Sequence, residues 1–172
     1  MKVSTVLSVA AMTLAMFGQS AVAQVGAANK AKGSTYNFWE AQGWQQQTHA
    51  QARALYYYGQ TEKPTPEQAK VHATAARQGV VNAQKSLAEL KKANPDNKEA
   101  QAAIAKIEEV QKKILGHCDM MDKALAKGDH VEMCGCCADI VHEVDAVNAE
   151  FTKLQKALKI EDPKLPKRDG QK

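Results

Sequence analysis

Apolar residues spaced alternately three and four apart constrain this chain more than any other feature. Ala69, Ala73, Ala76, Val80, Ala83, Leu87 and Leu90 form a first series. Ile104, Ile107, Gln111, Ile114, Cys118, Met121 and Leu125 form a second, with one polar member. Met133, Cys137, Ile140, Val144, Val147, Phe151, Leu154 and Leu158 form a third. A helix completes a turn in about 3.6 residues, so each series becomes one stripe along a helix, and the stripes must be buried against one another.

Breaks between the series set the helix ends. Thr65-Pro66-Glu67-Gln68 has the form of a capping box with proline at the first helical position, which predicts a helix over 66–93. Asn94-Pro95 stops that helix, and Asp96-Asn97-Lys98-Glu99 reads as a second capping box opening a helix to residue 127. Gly128 suits a left-handed C-terminal cap, and Asp129 with Glu132 starts a helix expected to reach residue 160. A weaker helix is expected over 36–58, where Gly43 lowers the propensity. Ala, Gln, Lys, Glu and Leu dominate and strand patterns are nearly absent. Short connections force neighbours antiparallel, so the expected fold is all-α, an antiparallel up-and-down four-helix bundle whose first helix is the least defined.

The N-terminus reads as an export signal. Lys2 precedes an apolar run over 6–17, and Ala21-Val22-Ala23 offers the small-x-small cleavage pattern. The expected organisation is a signal peptide at 1–23, a flexible leader at 24–35, a bundle domain at 36–160 and a basic tail at 161–172. The apolar run is shorter than the roughly 20 residues that span a bilayer, so stable membrane insertion is not expected after cleavage. The expected location is periplasmic or secreted. A formal net charge of +4 is spread among interspersed acidic and basic residues. That is a solvated surface and not a nucleic-acid footprint.

Sulfur is concentrated in one window. Cys118, Met120, Met121, Met133, Cys134, Cys136 and Cys137 are all the cysteines and all the methionines beyond the signal segment. With Gly128-Asp129 as the turn, Cys118 and Cys137 lie at similar heights on facing helices. Cys118, Met121, Met133 and Cys137 occupy the seams, whereas Cys134 and Cys136 flank one seam and Met120 points away. His72 falls near the height of Cys118 on the second predicted helix, and His49 ranks after it because the register of the first helix is not fixed by the sequence. Thiolate, thioether and imidazole donors suit Cu(I), whereas zinc would leave the methionines without a role.

The expected function is therefore sequestration or delivery of Cu(I), with a copper-handling protein as a partner for delivery. Cys118 and Cys137 are the main thiolates, Cys134 and Cys136 supplementary, and Met121, Met133 or His72 complete the shell. Two other readings compete. An oxidising compartment and an even cysteine count suit a structural bundle stapled by a Cys118–Cys137 disulfide, without metal. The Cys134-Gly135-Cys136 dithiol suits thiol-disulfide exchange, although no thioredoxin-like strand pattern surrounds it. No C-x-x-C-H sequence supports covalent haem, and enzymatic turnover is not implied. Cysteines inside a four-helix bundle resemble the arrangement in bacterial copper storage proteins, which hold many Cu(I) ions this way. This chain has four cysteines and lacks their repeated C-x-x-x-C pairs, so the resemblance is one of architecture.

Overall fold

The computed structural model describes residues 33–163 of the 172-residue chain. The expected signal peptide, the leader up to residue 32 and the basic tail from residue 164 lie outside the described residues. Four helices follow in order: α1 (Ser34–Thr61), α2 (Pro66–Ala93), α3 (Lys98–Lys127) and α4 (His130–Ala157). There are no strands among the described residues. α1 packs along α2 and α4, and α3 packs along the same two helices. The diagonal backbones stay apart, which is the square arrangement of an up-and-down four-helix bundle.

Local hydrogen bonds explain most of the boundaries. Gln68 N donates to Thr65 Oγ1 at 3.2 Å, and Thr65 N donates to Gln68 Oε1 at 3.0 Å, completing the capping box of α2. The cap of α3 is Asn97 and not Asp96, because Ala100 N donates to Asn97 Oδ1 at 3.0 Å. The expected box at Asp96 is thus displaced by one residue, and Glu99 is left in the first turn, where its charge favours the helix dipole. Gly128 takes φ 69°, the left-handed conformation that lets the chain reverse between α3 and α4. Asp129 then caps α4 through Glu132 N at 3.0 Å.

Two ends differ from the sequence expectation. α4 stops at Ala157 and not near residue 160: Lys159 adopts φ 55°, and Ile160 N donates back to Gln155 O at 3.1 Å. A lysine in the left-handed region costs about 1 kcal/mol or more, so nothing in its identity announces the stop. α1 runs from Ser34 to Thr61, longer than 36–58 at both ends. Its buried stripe is Phe38, Ala41, Gln45, Thr48, Ala52 and Leu55, a regular three-four series in which two polar members hide the pattern.

Those polar members are structural. Thr48 Oγ1 donates to Ala76 O on α2 at 3.1 Å, beside Gly79, where an added Cβ would overlap the hydroxyl and lie 2.9 Å from Trp44 O. The glycine therefore lets the α1 and α2 backbones approach closely. Gln45 and Gln111 are both fully buried and meet across the diagonal, with Gln111 Nε2 donating to Gln45 Oε1 at 3.2 Å. Phe38 and Phe151 pack edge to face at 5.8 Å nearer the opposite end of the bundle from the cysteines.

Candidate metal centre

The α3–α4 hairpin positions the sulfur atoms. Cys118 and Met121 stand three residues apart on the buried stripe of α3, and Met133 and Cys137 four apart on that of α4. Cys118, Met121 and Cys137 have no exposed surface, and Met133 is 1% exposed. Cys137 Sγ lies 3.5 Å from Met121 Sδ and donates its thiol hydrogen to it. Cys134 and Cys136 are buried too, on either side of the α4 stripe. Cys134 is turned toward α1, where a Cβ on Gly59 would overlap its Sγ. Cys136 lies close enough to Cys118 for each thiol's charge to be felt between them. Met120 is 40% exposed and stands outside the cluster.

Burial governs the protonation of these thiols. Cys137 is pushed up to about 12, first by desolvation and then by Cys134, Cys136 and Cys118 around it. Cys118 is pushed up to about 11 by desolvation, with Arg77 pulling the other way and Asp122, Asp119 and Cys136 adding to the rise. Cys134 and Cys136 are also raised, in both cases chiefly by burial. At neutral pH the cluster is a set of protonated thiols. No two are joined, and all four are free.

The imidazoles are deployed differently. His72 Nδ1 is 2.7 Å from Gln51 Oε1, and its ring sits 5.8 Å from that of Tyr58, so it ties α2 to α1 and is not joined to the sulfurs. Burial lowers its pKa and favours the neutral ring. His49 lies 3.8 Å from Asp145, and His117 lies 3.6 Å from Asp139 although it adjoins Cys118 in sequence. His142 is exposed. The imidazole that does approach a thiol is His130, whose Nε2 is 4.0 Å from Cys134 Sγ and 3.0 Å from Gly59 O. Sequence reasoning passed over its role. Its spacing of four from Cys134 at the start of a helix was the readable sign.

Among the described residues, no group of three or more His, Cys, Asp and Glu side chains converges so as to hold a metal ion. A thiol and a thioether, Cys137 and Met121, are in direct contact. The chain matches no protein family, no curated protein and no solved structure.

Proposed function

We propose that this chain is an exported helical bundle that binds Cu(I) through sulfur at the α3–α4 end, for sequestration or for delivery to a copper-handling partner. The observation that carries the reading is the 3.5 Å separation of Cys137 Sγ and Met121 Sδ inside a fully buried core. Metal–sulfur bonds of about 2.3 Å would place two such sulfurs on one ion at roughly a right angle, with space for a third donor. Cys118 is the candidate for that place, because it lies on the facing buried stripe and its thiol is close enough to bear on the charge of Cys137.

Charge favours a monovalent ion. When Cu(I) replaces the proton of one buried thiol, the core remains neutral, and the thioether adds a soft donor without adding charge. A divalent ion would need two thiolates in the same apolar space, or would leave an uncompensated charge that burial penalises heavily. Tetrahedral zinc also asks for four N, S or O donors, which these side chains do not supply as arranged. Thiol-disulfide exchange requires an accessible thiolate of depressed pKa, whereas these thiols are buried and raised.

Competition against a chromophoric Cu(I) chelator, with the protein reduced and oxygen excluded, tests the reading. Wild type should extract Cu(I) and show no comparable hold on Zn(II). Changing Cys118 and Cys137 together to Ser should weaken binding by about 100-fold or more, since the one thiolate and the thiol on the facing stripe that could replace it are both removed. His72→Ala should leave the affinity unchanged, because that ring is engaged with Gln51. Failure of the wild type to compete with even a weak chelator would overturn the proposal.

A further inference from the structure

The buried sulfurs need a way in. At the same end of the bundle a groove of about 350 Å3 is lined by Lys63 and Pro64 from the α1–α2 connection, by Asp129 and His130, and by Met133. Met133 is almost fully buried and forms the floor, while His130 is half-buried at the rim. His130, Met133, Cys134 and Cys137 follow at helical spacing along one side of α4. They span roughly 10 Å at 1.5 Å per residue.

His130 and Cys134 are set up as a pair of ligands. Bond lengths of about 2.0 Å to an imidazole nitrogen and 2.3 Å to a thiolate allow one ion between atoms up to about 4.3 Å apart. The observed separation of His130 Nε2 and Cys134 Sγ is 4.0 Å. Gly59 makes room for that sulfur, because a side chain there would collide with it. A helical glycine is less stable than alanine by about 1 kcal/mol, so the close approach has a local cost. The same imidazole nitrogen donates to Gly59 O at 3.0 Å, one of the carbonyls at the end of α1 that lack a helical partner.

We infer that His130 at the rim of the groove and Cys134 one turn behind it form a loading port, which captures Cu(I) and passes it by way of Met133 to the Cys137–Met121 pair. The inference rests on the copper reading above. On capture, the Nε2 proton leaves for solvent and the ring is reprotonated at Nδ1, so the imidazole stays neutral. Cys134 gives its thiol proton to water. On transfer Cu(I) leaves both His130 and Cys134: Cys134 regains a proton, the imidazole loses its Nδ1 proton to solvent and regains one at Nε2, and Cys137 releases its own. Copper remains Cu(I) throughout, and no electron moves.

A kinetic experiment separates this role from simple capping of α1. Reduced full-length mature protein is mixed by stopped flow with a Cu(I)–chelator complex, and the transfer rate and final occupancy are read from the chelator absorbance. His130→Gln keeps a donor for the Gly59 carbonyl but removes the soft ligand. It should load about tenfold or more slowly while reaching the wild-type end point. Cys134→Ser, which spares His130, should also slow loading and covers the case in which the glutamine variant folds poorly. Loading of both variants at the wild-type rate, or a loss of final affinity in His130→Gln without a change of rate, overturns the port. If wild type itself takes no Cu(I) at equilibrium, the underlying copper reading fails instead.

Discussion

Single residues at the centre carry two opposing demands. Met121 fills core volume and presents a thioether to Cys137, so Met121→Leu separates the two roles. Leucine conserves volume, and the cost in stability should stay below about 1.5 kcal/mol by urea denaturation. Cu(I) affinity should fall by about tenfold, because the soft donor is gone. The raised thiols add a pH signature. Below the ordinary cysteine value of 9.0 the folded and unfolded chains hold the same protons on Cys118 and Cys137. Above it the unfolded chain ionises first, so the stability of the metal-free protein should fall as pH passes 9 and continue falling through about 11 and about 12. Copper binding should move the other way. Each thiolate used releases a proton, so the apparent affinity should rise about tenfold per pH unit for each thiolate used over the neutral range. A pH-independent affinity from pH 6 to 8 would mean that no cysteine is a ligand.

Between elements, the α1–α2 interface offers a sharper test than any surface change. Gly43 and Gly79 are both helical glycines, and intrinsic propensity alone predicts that alanine improves either by about 1 kcal/mol. Gly43 has nothing within 4 Å of an added Cβ, so Gly43→Ala should raise the denaturation midpoint. At Gly79 the Cβ would overlap Thr48 Oγ1 and press on the backbone of Trp44. Gly79→Ala should therefore lower stability by about 1–3 kcal/mol, since the helices must part. Equal behaviour of the two variants would show that the helices do not approach as closely as described.

Across the whole molecule, the Gln45–Gln111 bond joins diagonal helices through the centre of the bundle. It is incompletely satisfied, because Gln45 Nε2 and Gln111 Oε1 have no partner. Gln111→Leu alone strands the remaining amide and should cost about 1–3 kcal/mol. Replacing both glutamines by leucine should recover that loss or exceed it, as measured by a double-mutant denaturation cycle. The proposed export is tested on the whole chain as well. Mass spectrometry of protein secreted or released from the periplasm should find Gln24 at the N-terminus, and retention of Met1 would overturn the signal-peptide reading.

Helix ends were legible in the sequence wherever one side chain decides them. Thr65 with Gln68, Gly128 and Asp129 each act over three or four residues, so their effect travels with the local sequence. Lys159 ends α4 without such a mark, because its left-handed conformation is imposed by the packing and hydrogen bonds around it. The stripes on α2, α3 and α4 were readable for the same periodic reason, and so was the gathering of Cys118, Met121, Met133 and Cys137 at one end. Which donors point at one another was not, because rotation about a helix axis and the neighbour of each face depend on all four helices together. Only the folded arrangement set Met121 against Cys137, turned His72 toward Gln51 and brought Gly59 of α1 beside His130 and Cys134, residues more than seventy positions away along the chain.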